Sequence, residues 1–170
     1  MIIWLTGQPG CGKTTIANAL IDDNPLWFNI DGDDLREVMP NPGYDKWGRK
    51  TNIDRAQAIA AYLDSQGYHV VVSVVAPYRE QRDEFKKSHD VLEVFLHTTE
   101  ERGREKYHVH DYEPPSSNFV AIDTGCTTVD EAVRTVYREM AALSPRTHVA
   151  GTAEAGSRCT CLDSCPRHAH

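Results

Sequence analysis

Cysteine is scarce in this sequence and marks out no framework. Of the five cysteines, Cys11 and Cys126 stand alone in the body of the chain and the others gather near its C-terminus, so a reducing compartment, the cytoplasm, is the expected setting. Positive charge is also short: 18 Lys and Arg against 25 Asp and Glu leave a net charge of -7. That balance argues against a protein that wraps duplex nucleic acid but leaves small anionic ligands open. Long hydrophobic runs are missing as well. The stretch from Met1 to Gly7 is too short for the central region of a signal peptide and has no basic residue ahead of it, and no later run would span a bilayer, so no membrane partner is expected.

What is present suits one substantial core, since 170 residues with 40% hydrophobic content favour a single domain. Residues 1–145 carry periodic pattern and are expected to form that domain; 146–170 do not, and are expected to be a tail without core contacts. Cys159, Cys161, Cys165, His168 and His170 in the tail could offer soft donors to zinc, but their spacing matches no standard finger.

Along the domain, apolar strands alternate with amphipathic helices. Strands are expected at Ile2–Thr6, Trp27–Ile30, Tyr68–Val75, Val91–Leu96 and Phe119–Ile122. Helices are expected at Thr14–Ile21, Asn52–Gln66 with Gly67 as its stop, Glu80–Lys87 and Val129–Leu143. The β-branched run Val70–Val75 has the composition of a central parallel strand covered on both faces. The order implies an α/β fold, a doubly wound and mostly parallel sheet flanked by helices, with ligands at the carboxyl ends of the strands. The polar segments 31–45, 77–79 and 100–117 each follow a strand and should converge on that rim.

Gly7-Gln8-Pro9-Gly10-Cys11-Gly12-Lys13-Thr14 satisfies the G-x-x-x-x-G-K-[ST] pattern of a P-loop NTPase, between an expected strand and an expected helix. Its glycines let backbone N–H groups curl round phosphate oxygens; Lys13 would reach the β and γ phosphates and the Thr14 hydroxyl would sit on Mg²⁺. A turn that merely joined strand to helix would need neither. Gly7, Gly10, Cys11, Gly12, Lys13, Thr14 and Thr15 are the expected ATP contacts, joined by Arg104 from the later loop. Cys11 fills a variable position as a small side chain rather than a nucleophile.

A P-loop alone serves kinases, switches and mechanical ATPases alike. The second loop narrows the choice. Asp31-Gly32-Asp33-Asp34-Leu35-Arg36 sets carboxylates and an arginine beside the P-loop, where an acceptor hydroxyl could be oriented or deprotonated; with Lys13, Asp31 and Asp33 are the candidate catalytic residues. Asp33 or Asp34 would also suit the N-cap of a short helix through Met39. Arg36, Arg49, Arg55, Arg79 and Arg82 fall in or near the rim segments, and guanidinium forks suit phosphate, sulfate or carboxylate.

Taken in order, these motifs resemble the adenylylsulfate kinase family from about Ile3 to Met140. Asp31–Arg36 resembles that family's DGD-x-x-R segment, and Gly43-Tyr44 through Arg49 to Asn52-Ile53-Asp54-Arg55 its G-F-S-x-x-D-R-x-E-N-I-R-R stretch, with Tyr44 in place of a stacking phenylalanine. Ser73 to Asp83 is similar to S-F-I-S-P-Y-R-x-x-R-D, Asp111-Tyr112-Glu113-Pro114-Pro115 to D-P-Y-E-x-P, and Ile122-Asp123-Thr124 to a late D-T. The resemblance implies transfer of the ATP γ-phosphoryl to a hydroxyl of a small nucleotide-like acceptor, the 3′-hydroxyl of adenylylsulfate as first choice. Asp33, Arg36, Tyr44, Asn52, Arg49, Pro77, Tyr78 and Arg79 would hold that acceptor, and a homodimer follows by family analogy.

Two departures stand out. Ala76 replaces the family's phosphorylatable serine, which excludes a phosphoenzyme at that position. Between Arg102 and Asp111 only eight residues remain, Gly103 to His110, without most of the family's K-K-A and F-T-G-I region. In this short lid Arg102, Arg104 and Lys106 could stabilise transferring charge; His108 and His110 are expected to be surface or substrate contacts, with no protein-bound metal there. The short lid opens an alternative: the same kinase chemistry on a cytidine-diphosphate-linked compound, or on a hydroxymethylpyrimidine in DNA, the one reading with a nucleic-acid partner. A third reading is a nucleotide-dependent switch without efficient phosphoryl transfer, which the two carboxylates and facing arginines do not require.

Overall fold

Each apolar run that alternates with a helical segment becomes a parallel strand in the computed structural model, which describes residues 1–40 and 43–143. The Cys/His-containing tail lies outside the described residues. Ile2–Thr6 (β1), Phe28–Asp31 (β2), Val70–Ser73 (β3), Val91–His97 (β4) and Phe119–Asp123 (β5) form one sheet in the order β2-β3-β1-β4-β5. Every pairing in it is parallel. Lys13–Asp23 (α1), Gly32–Val38 (α2), Lys46–Ser65 (α3), Arg79–Ser88 (α4) and Val129–Ala142 (α5) are the helices.

The period of two in β1 sorts the core into its two faces. Ile3 and Leu5 pack with Ile16, Ala17 and Leu20 of α1 and Ala132 and Val136 of α5. Ile2 and Trp4 point the other way, to Ile53, Ala56 and Ala60 of α3. All of β1 is buried, as a strand with a neighbour on either side and helices above and below must be. The chain crosses from β1 outward to β2 and β3 and later to β4 and β5, so the strand order reverses at β1. Its carboxyl end is the crevice where an open α/β sheet binds ligands.

Most element ends shift by one or two residues from the sequence expectation, and three differences have a clear physical cause. Helix α3 begins at Lys46, not Asn52, because the Asp45 side chain caps it by accepting from Gly48 N–H at 2.7 Å. Gly48 is required there, since a Cβ would overlap the Gly43 carbonyl. The cap of α2 is Asp31 rather than Asp33 or Asp34. Strand β3 stops at Ser73, and Val74 and Val75 leave the ladder toward a turn at Ala76, whose φ of 42° is left-handed for a non-glycine residue.

Arg82 is not on the rim. It is 3% exposed, and its Nε donates to Glu93 on β4 at 2.7 Å. Its Nη1 reaches the Ala76 carbonyl and its Nη2 the Glu113 carbonyl, the latter at 2.6 Å; Lys86 is the second ion-pair partner of Glu93. Arg82→Ala would leave Glu93 with Lys86 alone and strip the guanidinium from the Ala76 and Glu113 carbonyls, so it is expected to destabilise the fold by about 3 kcal/mol, read by chemical denaturation. A loss below about 1 kcal/mol would show that the pair is not desolvated.

Candidate active site

The loop between β1 and α1 is built by close backbone approach. A Cβ on Gly7 would overlap the Leu96 carbonyl oxygen, so only glycine lets the loop pass the end of β4. Gly12 stands at the N-cap of α1 without a side chain to satisfy the first amides of the helix, which leaves N–H groups free to meet an anion. Lys13 is 9% exposed, and its Nζ donates to the Gly7 and Gln8 carbonyls at 3.0 and 2.9 Å. Burial lowers its pKa, partly offset by Cys11; the same burial raises the Cys11 thiol, 3.7 Å from the ammonium. Thr15 is exposed at the start of the helix.

Asp31 ends β2 beside this loop. One carboxylate oxygen accepts from Asp33 N–H at 2.9 Å, capping α2, and the other accepts from the Thr14 and Ser73 hydroxyls, each at 2.8 Å. Asp33, two residues on, is exposed, and among the described residues nothing hydrogen-bonds its carboxylate. It is close enough to favour the charged forms of both Lys13 and Arg36. A hydroxyl and a carboxylate oxygen side by side are hard donors of the kind Mg²⁺ takes, so the residues present fit that ion.

Past α2 the arginines meet the aromatics. Arg36 lies over the Tyr44 ring at 4.4 Å and donates to the Gly43 carbonyl at 2.8 Å; Arg49 lies 5.7 Å from the same ring and bonds the Tyr44 carbonyl at 2.7 Å. Asn52 is 2% exposed, its amide donating to the Gly32 carbonyl at 3.2 Å while its Oδ1 has no partner among the described residues. Pro77 and Tyr78 are buried, and the Lys46 ammonium sits 5.6 Å from the Tyr78 ring. Arg79 opens α4 and contributes a backbone N–H to Glu113 Oε2 at 2.8 Å. These residues come from α2, the α2–α3 connection, α3 and the turn from β3 into α4, all on the β2–β3 side of the P-loop.

The shortened lid covers the other side. It carries a single turn of 3₁₀ helix, Glu105–Tyr107, and is tied down by a reciprocal pair: Gln8 Nε2 to the Val109 carbonyl and Val109 N–H to Gln8 Oε1, both 2.9 Å. Arg102 bridges Gly10 and Thr124, donating to the Gly10 carbonyl at 3.4 Å and the Thr124 carbonyl at 2.6 Å. Arg104 is exposed, with its guanidinium 6.0 Å from the Tyr107 ring and its β-carbon packed where a side chain on Gly10 would fall. A cavity of about 320 Å³ lies between the outer flank of the P-loop and the lid, walled by Phe95, His97, His108 and Tyr112.

Tyr112 donates to the Thr6 hydroxyl at 3.0 Å, because the single Thr6 proton goes to the Val75 carbonyl at 2.8 Å. Burial pushes the Tyr112 phenol from its ordinary value of 10 up to about 12. A raised folded-state pKa means that its contribution to stability is whole below pH 10 and is lost as pH climbs from there to about 12. Denaturation midpoints across that range should fall more steeply for the wild type than for Tyr112→Phe; equal slopes would contradict this.

Sequence reasoning missed Gln8, Ser73 and Glu113 as contacts. Gln8 fills a variable P-loop position, and its partner is 101 residues away. Ser73 and Glu113 stood inside recognised motifs, but nothing in a linear pattern says which side chain they meet.

The adenylylsulphate kinase family pattern matches residues 1–126. The cytidine diphosphoramidate kinase of Campylobacter jejuni is 30% identical over 131 residues, covering 72% of this chain and 77% of that one. The adenylyl-sulfate kinase of Rippkaea orientalis is 32% identical over 162 residues, covering 81% and 90%. Among solved structures, APE1195 superposes with a TM-score of 0.74 at 28% identity, covering 85% of this chain and 96% of that one. The Mycobacterium tuberculosis APS kinase CysC, in complex with AMPPNP and APS, shares the fold with a TM-score of 0.72 at 23% identity, covering 82% and 96%. Among the described residues no helix is long and apolar enough to cross a membrane. With the family pattern running from the first strand through the whole sheet, the chain belongs to the adenylylsulphate kinase family and is an ATP-dependent phosphotransferase acting on a hydroxyl group.

Proposed function

We propose that the enzyme transfers the γ-phosphoryl of ATP to the 3′-hydroxyl of adenylylsulfate in the cytoplasm, with Asp33 as the base. The observation that carries the assignment is the contrast between the two carboxylates. Both oxygens of Asp31 are engaged, by the cap of α2 and by Thr14 and Ser73. Asp33 keeps its carboxylate unengaged beside Lys13 and Arg36.

In this reading the amides of Gly10 to Thr15 and the Lys13 ammonium hold the β and γ phosphates, and the carbonyls that now receive Lys13 yield it to phosphate oxygens. Arg104 reaches the nucleotide from the lid. Thr14 and Asp31 would hold Mg²⁺, which supplies neutralising charge to the phosphates when bound. Arg36, Arg49 and Arg79 offer guanidinium groups to an anionic acceptor, Tyr44 a stacking face, and Pro77 and Tyr78 a buried wall. The unmet Asn52 Oδ1 would take a hydrogen bond from the acceptor. Asp33 accepts the proton of the acceptor hydroxyl as its oxygen bonds to the γ phosphorus and the bond to the leaving ADP breaks. A homodimer is proposed on family analogy.

One observation favours a second acceptor. The lid has a single helical turn and exposed side chains from Glu101 to His108, which would leave more room for a bulky acceptor than a longer lid. The Campylobacter jejuni relative named for cytidine diphosphoramidate has comparable identity to the adenylyl-sulfate kinases. Parallel assays with adenylylsulfate, cytidine diphosphoramidate and hydroxymethylpyrimidine DNA decide between them. A kcat/KM at least about tenfold higher for adenylylsulfate supports the first reading; preference for either of the others replaces it.

A further inference from the structure

We propose that Glu113 is a positioning residue that couples the lid to the acceptor loop, capping helix α4 from outside and so setting how Pro77, Tyr78 and Arg79 meet the acceptor. The inference rests on the reading of residues 77–79 as an acceptor loop.

Helix α4 starts without a cap of its own. Its N-cap position is Tyr78, which makes no side-chain hydrogen bond to the first turn, although the opening amides of a helix need partners. Glu113, 34 residues along the chain from Arg79, supplies one, its Oε2 receiving Arg79 N–H at 2.8 Å. The Glu113 main chain holds the same loop twice more. Its N–H donates to the Pro77 carbonyl at 2.9 Å, and its carbonyl accepts from Arg82 Nη2 at 2.6 Å. Arg82 also holds the carbonyl of Ala76, the left-handed residue that turns the loop out of β3. Such a conformation persists only where its surroundings over-determine it, and here they do so through Arg82 and Glu113.

The other end of this segment belongs to the nucleotide side. Val109 exchanges two hydrogen bonds with Gln8 of the P-loop, and Tyr112 donates to Thr6 at the end of β1. Val109 to Glu113 therefore spans the two halves of the site, with the P-loop at one end and the acceptor loop at the other. A shift of the lid as the P-loop fills would be passed to the start of α4. The main-chain bonds fix the segment to Pro77 and Arg82 whatever side chain stands at 113, whereas the carboxylate alone fixes the N–H of Arg79. That separation makes the coupling testable without dismantling the fold.

Glu113→Ala and Glu113→Gln distinguish positioning from bulk stability, since glutamine keeps an oxygen for the Arg79 N–H. With adenylylsulfate as acceptor, Glu113→Ala is expected to raise the acceptor KM about tenfold while leaving the ATP KM within about twofold, and Glu113→Gln to restore most of the loss. Equal rises in both KM values, or no rescue by glutamine, would overturn the proposal. A second readout needs no turnover and stands even if adenylylsulfate is the wrong acceptor. Adding the magnesium complex of a non-hydrolysable ATP analogue should slow amide hydrogen exchange over residues 78–82 in the wild type and in Glu113→Gln, but not in Glu113→Ala. Protection that persists in Glu113→Ala, or is missing from the wild type, would show that the lid and the acceptor loop are not coupled through this residue.

Discussion

Lys13→Ala is expected to lower kcat/KM by on the order of 10³-fold or more, the largest loss from any single side chain in the site. The lysine is the one ammonium built into the P-loop, and transition-state charge on the γ-phosphoryl oxygens has to be met by groups already in place. Its geometry is costly to the fold. Burial lowers its pKa, so the folded state disfavours the charged form. The penalty is present at pH values below the folded pKa and fades as pH rises from there toward the ordinary lysine value. Lys13→Met, which fills the space without the charge, should therefore be as inactive as the alanine variant and at least as stable as the wild type in denaturant. A methionine variant that keeps activity within tenfold would remove Lys13 from the mechanism.

Asp33→Ala should be the second-largest loss, about 10²- to 10⁴-fold in kcat with ATP affinity changed by no more than about twofold. The split follows from the contrast with Asp31: the Asp33 carboxylate accepts no hydrogen bond among the described residues, so its removal should leave the P-loop and its ATP contacts in place. Asp31→Ala should behave differently. It strips the cap from α2 and the shared oxygen from Thr14 and Ser73, so stability and the dependence on Mg²⁺ concentration should change together with the rate. If both variants retain the full rate, neither carboxylate is the base; if Asp31→Ala loses rate without any change in stability or magnesium dependence, the roles given to the two are reversed.

How far the sequence could be read depended on whether a residue's partner was local. The P-loop was legible because its chemistry needs glycine, lysine and hydroxyl at fixed spacing, and the sheet because its strands are short apolar runs between helices. The start of α3 was not, because its first turns hold Lys46, Trp47 and Arg49 with no apolar stripe, and what begins the helix is a cap at Asp45. Arg82 looked like one more rim arginine. Its burial is dictated by Glu93, whose charge sits inside the apolar run of β4 and demands a cation across the sheet-to-helix gap. Glu93 was the available signal: a lone carboxylate in a buried strand requires a partner. The division of labour between Asp31 and Asp33 could not be read from a D-G-D triplet at all, because it depends on hydroxyls from Thr14 and Ser73, one in the first turn of α1 and the other at the end of β3.

The central claim is phosphoryl transfer to an acceptor hydroxyl, as opposed to nucleotide binding or hydrolysis. The most direct test follows the γ-phosphoryl of Mg-ATP by ³¹P NMR with and without adenylylsulfate or the other acceptors. ADP formation that requires an acceptor, with the phosphorus appearing as a phosphate ester on that acceptor in equal amount, is the predicted result. ADP release at the same rate without any acceptor, with the phosphorus recovered as inorganic phosphate, would contradict it.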